Sequence, residues 1–451
     1  MAGILPRNSL TVSISNRQIL SIALPITFAL IVPQINFITN TIFLGWLGEK
    51  ELGNAGITGV YYLIVAVIGN GFNNALQSLI SRSAGENNTA GISQYLSQGI
   101  RLSLQFALGG ILFTWFIAPY CLRPFIHPDN FQQEMNFLRI RVFGLPFLYL
   151  FQMGNAFLVG TLHSRFLMIG FMVESLANIL FDYSFIFGHF GMPAFGFNGA
   201  AIASVLAEAT GFGVILLVIY SKGLKKRFHL FHSFRYDKTV TQSILKVSAP
   251  LVLQYLLSLT TWLIFFVMIE QQYAEREKAI SNVMRNIFGV TGIFVWAFAS
   301  TSNTMVSNLI GQHKKEQVLY AIKRIMLMSF GSSLLMAALL NSFPALFLQL
   351  FSKDQAFIQA AIPVMRVVTM GLLFMSIAVV WLNALTGTGQ TKINLIVEIM
   401  AILVYCLYNF FIIKVFALPV NWAWGNEMVY WTVVFSVSFY YLRFGNWKEK
   451  V

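Results

Sequence analysis

The sequence predicts an all-α, polytopic membrane protein in which twelve transmembrane helices form two six-helix bundles. Its composition, its series of long apolar runs and an internal repeat predict this class. Of the 451 residues, 57% are hydrophobic and 10% are charged, whereas soluble globular proteins carry about 25% charged residues. So little charge cannot cover a water-facing surface, which excludes a soluble enzyme and a nucleic-acid-binding protein.

Twelve apolar runs are long enough to cross a bilayer, which takes about 20 residues of helix. The first six lie near 18–46, 54–79, 93–120, 137–160, 166–188 and 197–220. The second six lie near 243–269, 281–307, 318–343, 357–385, 393–416 and 427–443. The last run is the shortest. None of the runs alternates polar with apolar residues as the strands of a membrane barrel do.

The distribution of Lys and Arg between the connections predicts that both termini are cytoplasmic. With the N-terminus inside, 18 of the 30 basic residues fall on the cytoplasmic side. Five fall on the opposite side, namely Lys50, Arg123, Arg276, Lys278 and Lys353. The basic stretch over 222–238 fits an ordinary positive-inside linker between two halves, and a regulatory or lipid-binding segment is the alternative.

The two halves of the chain resemble each other at an offset of 225 to 227 residues. The matched pairs are Pro25 with Pro250, Ser81 with Ser307, Gly85 with Gly311, Arg139 with Arg366, and Gly160-Thr161 with Gly387-Thr388. This ordered series predicts a tandem duplication, with an N-lobe over 1–221, a basic cytoplasmic linker over 222–240 and a C-lobe over 241–451. In transporters built from such parallel repeats, the substrate binds between the halves and access alternates.

Span five carries a stripe of polar side chains. Glu174, Asn178 and Asp182 are spaced by four residues, so successive members drift only about 40° around a helix. Charged groups inside a bilayer are costly and usually face a cavity or a partner. A buried carboxyl can hold a proton or Na⁺, and the Asn amide supplies a further oxygen or a hydrogen bond. The stripe therefore predicts a cation-coupling site; a structural stripe that bonds neighbouring helices is the alternative.

Four further residues lie inside the predicted spans. Pro25 and Pro250, at equivalent repeat positions, predict helix bends that help to open and close a lobe; static kinks are the alternative. Glu208 follows the small-residue run 199–204, which suits close helix packing. We interpret Glu208 as a cleft or gating residue, or as a structural partner of an arginine. Glu398 lies near the cytoplasmic end of span eleven, where we expect its side chain to extend to water.

Familiar enzyme motifs are missing from the sequence, which has no HExxH, GxSxG or P-loop and no paired Asp-rich prenyl-phosphate motif. The two cysteines, Cys121 and Cys406, give neither a disulfide framework nor a metal spacing. We therefore predict that the protein is not an enzyme and uses no cofactor. The ligand predicted inside the membrane is a coupling ion, either H⁺ or a Na⁺ held by Asp182 and Asn178.

Several motifs, in order along nearly the whole chain, resemble those of one transporter family. Span one reads Leu24-Pro25 followed by ITNTIFLGWLG over 38–48. Spans four and five contain LRIRVFGLPF over 138–147, NILFD over 178–182 and then IFGHFGMPAFGFNGAAIAS over 186–204. Span ten ends in LTGTGQT over 385–391. Together with the twelve spans and the repeat, these motifs resemble the multidrug and toxic compound extrusion (MATE) family.

The resemblance implies two six-helix bundles in a V, and an antiporter that expels organic cations and other amphipathic compounds as Na⁺ or H⁺ flows in. In many bacterial members an Asp and an Asn of span five and an Asp of span one form the coupling site. Asn178 and Asp182 match the first two. The span-one position holds Asn40, which can ligate Na⁺ or form a hydrogen bond but cannot titrate. The C-lobe carboxylates of some members correspond to Ser258 and Met375 here, which implies that a C-lobe site is absent.

The leading hypothesis is a cation-coupled antiporter that exports drug-like amphipathic or cationic small molecules across the inner membrane of a bacterium. Its expected partners are the small-molecule substrate and membrane lipids, with no nucleic acid and no obligate protein partner. One alternative is a flippase for a lipid-linked or oligosaccharide cargo, which would need a strongly basic cleft. Another is a membrane-embedded enzyme acting on a prenyl substrate, which would need clustered carboxylates for Mg²⁺.

Overall fold

A computed structural model describes residues 10–231 and 234–450, and within those ranges the chain is helical and contains no β-strand. The first eight α-helices are α1 (Asn16–Leu47), α2 (Glu49–Gly85), α3 (Thr89–Phe116), α4 (Ala118–Leu122), α5 (Pro128–Arg141), α6 (Leu145–Gly160), α7 (Leu167–Phe187) and α8 (Phe197–Ser221). They are followed by α9 (Leu224–Arg227), α10 (Lys238–Gln272), α11 (Glu275–Gly311), α12 (Val318–Ser342), α13 (Pro344–Leu348), α14 (Gln355–Thr388), α15 (Thr391–Asn409), α16 (Val420–Ala423) and α17 (Asn426–Phe444). Short 3₁₀ segments lie at Val142–Gly144, Ser164–Phe166, Lys315–Gln317 and Asn446–Glu449, and a π-helical segment extends α15 over Phe410–Val415.

Eleven helical segments of the described chain are long and apolar enough to cross a membrane. They are α1, α2, α3, the continuous α5–α6 segment, α7, α8, α10, α11, α12, α14 and α15 with its π-helical extension. The twelfth predicted run forms α17, which Glu427 and Arg443 make less apolar than the other eleven. With 19 residues, α17 is still about 28 Å long. The prediction of an all-α, multi-pass membrane protein is confirmed.

Polar residues and glycines between the apolar runs begin and end the helices. The Oδ1 atoms of Asn88 and Asp354 accept hydrogen bonds from backbone N–H groups in the first turns of α3 and α14, at 2.8 and 2.9 Å, as N-cap residues do. Helices α7 and α14 end at Gly188 and Gly389, with φ of 78° and 80°, a conformation that glycine adopts without strain. Because Gly188 fixes the end of α7, Asp182 lies roughly 9 Å inside that helix.

Contacts between helices divide the chain into two compact units, Leu24–Val252 and the residues up to Ala23 together with those from Leu253 onward. In the first unit, α2 packs against α3 and α6, and α8 packs against α6 and α7. In the second unit, α11 packs against α12 and α14, and α17 packs against α14 and α15. Helices at equivalent repeat positions therefore form equivalent pairs, in agreement with the predicted duplication. Residues 222–240, the predicted linker, belong to the first unit.

Two long helices, α1 and α10, continue from one unit into the other, and a proline lies near each crossing. Pro25 lies just beyond Ala23 in α1, and Pro250 lies just before Leu253 in α10. Proline has no N–H to donate to the preceding turn of a helix, and its ring crowds that turn. One backbone hydrogen bond of the helix is therefore missing close to each of the points at which the two units divide.

The short segment before α1 is bound within the second unit by buried side-chain amides. Asn308 of α11 accepts a hydrogen bond from Val12 N at 2.9 Å and donates one to Leu10 O at 2.9 Å. Gln312 of α11 donates to Val12 O at 3.1 Å. These amides give an irregular backbone the partners that it would otherwise find in a helix or in water.

Gly199 of α8 lies where the backbones of α7 and α8 approach each other closely. A Cβ at Gly199 would collide with the carbonyl oxygen of Phe185 and lie 2.8 Å from Ile186 N. We expect Gly199→Ala to lower the free energy of unfolding by about 1–3 kcal/mol, since neither helix backbone can move away cheaply. Thermal unfolding of the detergent-purified protein, followed by tryptophan fluorescence, measures the loss.

Gly213→Ala is the matched control on the same helix. A Cβ at Gly213 meets no atom within 4 Å, so we expect this variant to unfold at the wild-type temperature or slightly above it. Equal stability of the two variants would contradict the close approach of α7 and α8.

Candidate ion-coupling site

The polar stripe predicted on span five lies on α7 in the first unit. Asp182 is fully buried and Asn178 is buried to all but 4% of its surface. Glu174 lies against α8, because a Cβ placed on Gly211 would meet its Cβ and Oε2 atoms at 3.0 Å. Glycine at position 211 therefore leaves room for the Glu174 carboxyl between the two helices.

Asn40 lies on the side of α1 that packs against α7. Ser175 of α7 donates a hydrogen bond to Asn36 Oδ1. Further along, the ring of Phe43 contacts that of Phe187 of α7, with centroids 5.8 Å apart. Asn40 is one turn from both Asn36 and Phe43 and shares their face of α1. It therefore lies between these two contacts, at the level of the polar stripe.

Each of the four predicted coupling residues carries a buried polar atom that has no hydrogen-bond partner among the described residues. These atoms are Asn40 Oδ1, Glu174 Oε2, Asn178 Nδ2 and both carboxylate oxygens of Asp182. Buried polar groups in folded proteins are nearly always hydrogen-bonded, and a buried ionised carboxylate without a partner is strongly disfavoured. Asp182 is therefore suited to taking up a proton or a cation. Within 10–231 and 234–450, no group of three or more His, Cys, Asp or Glu side chains is arranged to hold a metal ion.

Glu208 of α8 forms a buried ion pair with Arg141, the last residue of α5. Arg141 Nη1 and Nη2 donate to Glu208 Oε2 and Oε1 at 2.8 and 2.6 Å. The Tyr62 hydroxyl donates to Glu208 Oε1 at 2.9 Å, and the Arg141 Cζ atom lies 3.6 Å from the centroid of the Tyr62 ring. The expected arginine partner of Glu208 is confirmed, while a role in a cleft or in gating stays a prediction.

Three carboxyls of the first unit share the field of this one guanidinium. Arg141 acts electrostatically on Glu174 and Asp182 as well as on Glu208. Both of its forked N–H donors are directed at Glu208. Arg141 therefore balances one negative charge, and the carboxyls of Glu174 and Asp182 require protons or cations to become neutral.

Sequence reasoning missed Arg141 and Tyr62. The repeat drew attention to Arg139 and Arg366, which match each other, whereas position 141 has no basic counterpart in the second half. The available signal was the cost of a charge inside a bilayer, because an arginine within a span requires a partner. Glu208, the acid of span six, requires a basic partner for the same reason.

The expectation that Glu398 extends to water is wrong. Its side chain is fully buried in the second unit, where it accepts hydrogen bonds from Ser258 of α10 and Tyr430 of α17. Distance from the end of a span did not predict its environment, because α10 and α17 cover that side of α15. Some family members carry an acidic residue at the position of Ser258. Here the Ser258 hydroxyl instead donates to the carboxyl of Glu398 on α15.

We expect the stability of the first unit to depend on both members of the Arg141–Glu208 pair. Removing one partner of a buried pair costs about 3–5 kcal/mol, because it leaves an uncompensated charge. Arg141→Met should therefore unfold at a much lower temperature than the wild type. The double variant Arg141→Met/Glu208→Leu should recover a large part of the loss, since two apolar side chains leave no charge to desolvate.

Thermal unfolding in detergent measures these variants, with Arg123→Met as the control at an exposed arginine of the same unit. We expect the control to match the wild type. Equal losses in the single and the double variant would show that side-chain volume, and not charge balance, accounts for the stability.

Comparisons with known proteins agree with this architecture. The MatE family profile matches residues 25–184 and again residues 250–411, which together make up more than half of the chain. The two matched stretches begin at Pro25 and Pro250, equivalent positions of the repeat. The chain thus carries the family's domain twice.

Curated relatives include bacterial drug-resistance proteins. A probable multidrug resistance protein NorM from Thermotoga maritima is 23% identical over 446 residues, which cover 96% of this chain and 93% of the relative. A probable NorM from Synechocystis is 26% identical over 54% of each chain. The multidrug resistance protein MdtK of Cronobacter sakazakii is 27% identical over 42% of this chain and 41% of its own.

Solved structures share the fold. A crystal structure of MATE in the straight conformation has a TM-score of 0.88 at 17% identity and covers 97% of this chain and 98% of its own. A multidrug resistance MATE family transporter in an outward-facing conformation has a TM-score of 0.87 at 18% identity, with 98% of each chain covered. The repeated profile match and the shared fold lead to one conclusion: this chain belongs to the MATE family of membrane transporters.

Proposed function

We propose that this protein is a cation-coupled antiporter that exports drug-like amphipathic or cationic small molecules by alternating access. Membership of a transporter family supports the transport class, and the relatives named as multidrug resistance proteins support the substrate class. The observation that carries the coupling is Asp182, whose two carboxylate oxygens are fully buried without a partner among the described residues.

In the proposed cycle, Asp182 holds the coupling ion, H⁺ or Na⁺, in one state and releases it in the other. A proton neutralises the carboxylate directly and removes the cost of a buried charge. A Na⁺ ion would find oxygen ligands on Asp182 and Asn178, one turn apart on α7, and on Asn40 of α1. Asn40 cannot titrate, so its part is to ligate Na⁺ or to accept a hydrogen bond from the protonated carboxyl.

Glu174 and Glu208 have different parts in this proposal. Glu174 has an unpartnered buried oxygen on the same stripe as Asp182, so it is the second carboxyl able to exchange a cation. Glu208 is held by Arg141 in a bidentate pair. Its part is to keep the guanidinium in place beside the two exchanging carboxyls.

Pro25 and Pro250 are proposed as the bending points of the cycle. They lie close to the positions at which α1 and α10 pass from one unit to the other. A helix interrupted by proline bends there with the loss of fewer hydrogen bonds than an intact one. The equivalent placement of the two prolines supports one bend in each half of the repeat.

The proposed setting is the inner membrane of a bacterium, with both termini in the cytoplasm. The bacterial relatives and the excess of Lys and Arg in alternate connections support it. The proposed partners are the small-molecule substrate and the surrounding lipids, without an obligate protein partner.

We expect Asp182→Asn to abolish gradient-driven transport, because the variant keeps the shape of the side chain but cannot exchange a proton or balance a cation. Transport of a fluorescent cationic dye is measured in proteoliposomes with an imposed H⁺ or Na⁺ gradient. Wild-type protein should respond to one of the gradients, and the variant should fall to the rate of protein-free liposomes. Asp129→Asn, at a side chain that is 82% exposed, should behave as the wild type.

Two results would contradict this assignment. Undiminished gradient-driven transport by Asp182→Asn would remove Asp182 from the coupling site. Wild-type dye transport that ignores both gradients would contradict antiport itself.

We expect cysteines placed at Lys226 and Lys353 to react with a membrane-impermeant maleimide from opposite faces of the membrane. Cys121 and Cys406 are both exposed, so they are first replaced by serine to remove background labelling. A cysteine at Lys450 should label from the same face as one at Lys226. Labelling of positions 226 and 353 from a single face would contradict the proposed topology.

A further inference from the structure

A buried carboxyl of the second unit, Glu398 of α15, has no part in the coupling described above. Its side chain has no exposed surface. Ser258 of α10 and Tyr430 of α17 both donate to Glu398 Oε1, the tyrosine at 2.6 Å. Gln254 of α10 donates its Nε2 to Glu398 Oε2 at 3.3 Å. Side chains from two other helices therefore converge on this one carboxyl.

The ionisable groups closest to Glu398 are acids and phenols. Its charge acts on Tyr255 of α10 and on Tyr430 of α17. Glu427, one turn before Tyr430 on α17, also acts on Tyr430 and accepts a hydrogen bond from Trp431 Nε1 at 3.0 Å. The helices packed around α15 also carry basic residues, namely Lys238, Lys246, Arg366 and Arg443. None of these forms an ion pair with Glu398 within the described ranges.

The cluster satisfies both protonation states of the carboxyl. An ionised Glu398 accepts hydrogen bonds from Ser258, Tyr430 and Gln254, as the structure shows. The second amide atom, Gln254 Oε1, is buried and has no partner among the described residues. A half-turn of this amide exchanges its oxygen and nitrogen, so that Oε1 accepts a hydrogen bond from a protonated Glu398, while the two hydroxyls can donate or accept.

Proton uptake by this cluster therefore needs only rotations of hydroxyl groups and of one amide. A Na⁺ ion would require all three donors to turn away and additional room within a fully buried site. Among the described residues, no Lys, Arg or His side chain lies within ion-pair distance of Glu398. No basic group therefore neutralises the ionised carboxyl. The geometry favours the proton.

We propose that Glu398 is a second proton-carrying group of this protein, which is loaded and unloaded in the second unit independently of Asp182. The inference rests on the proposed antiport, to which it adds a second proton site. The three donors hold the ionised form and the rotated Gln254 amide holds the protonated form.

Titration of the carboxyl itself tests the proposal. Infrared difference spectra of the protein in lipid nanodiscs, recorded as the pH is stepped, report the C=O stretch of protonated buried carboxyls. We expect one component of this band to disappear in Glu398→Gln and to persist in Asp182→Asn. Glu449→Gln, at an exposed residue near the C-terminus, should leave the band unchanged. A band that is identical in wild type and Glu398→Gln at every pH would overturn the proposal.

If Glu398→Gln does not fold, Tyr430→Phe provides a second variant for the infrared titration. This variant retains Glu398 and the aromatic ring but removes one of the three donors. We expect it to shift the pH at which the Glu398 component appears, whereas a component with an unmoved midpoint would contradict the proposed network. Loss of the component on addition of Na⁺ at constant pH would also overturn the proposal, because it would assign a metal cation to the site.

Proton counting during transport separates this inference from the proposed function. In proteoliposomes loaded with a pH-sensitive dye, Glu398→Gln should retain gradient-driven substrate transport while moving fewer protons per substrate than the wild type. An unchanged ratio would contradict proton carriage by Glu398. If wild-type protein shows no gradient-driven transport, the proposed function fails, and the infrared titration still decides whether Glu398 takes up a proton.

Discussion

The first unit depends on the buried ion pair between Arg141 and Glu208. The pair joins the end of α5 to the middle of α8, and Gly144 leaves the room for it, since a Cβ there would collide with Glu208 Oε2. Desolvation makes each partner costly to bury alone, so the pair holds the two helices at one separation. The charge of Arg141 also acts on Glu174 and Asp182. The packing of the unit and the chemistry of its candidate site thus share one interaction.

The two units repeat the same helix pairs but treat their buried acids differently. In the first unit a guanidinium balances Glu208. In the second unit, neutral donors from Ser258, Tyr430 and Gln254 surround Glu398. Duplication preserves backbone packing because many side chains of suitable size satisfy it. Buried polar groups require specific partners, and the two acids lie on helices that are not repeat mates, Glu208 on α8 and Glu398 on α15, the counterpart of α7.

The contrast between backbone packing and the specific partners of buried polar groups explains which features could be predicted from the sequence. Bilayer thickness fixes the length of a span, so apolar runs located the long helices. The spacing of Glu174, Asn178 and Asp182 placed them on one face of α7 because helical geometry is local. The partners of Arg141 and Glu398 could not be predicted in this way, since they depend on which helices cover those side chains. For the same reason the position of Glu398 near the end of span eleven predicted an exposed side chain, whereas α10 and α17 bury it.

The segment before α1 links the beginning of the chain to helices that are synthesised much later. Val12 and Leu10 bond to Asn308, which is 296 and 298 residues away in sequence. During translation, α1 therefore leaves the ribosome long before the partners of its leading segment exist. Contacts of such sequence separation form late and slow the acquisition of native structure. The second unit consequently reaches its final state only after the segment before α1 has returned to α11, which couples its maturation to the synthesis of residues far along the chain.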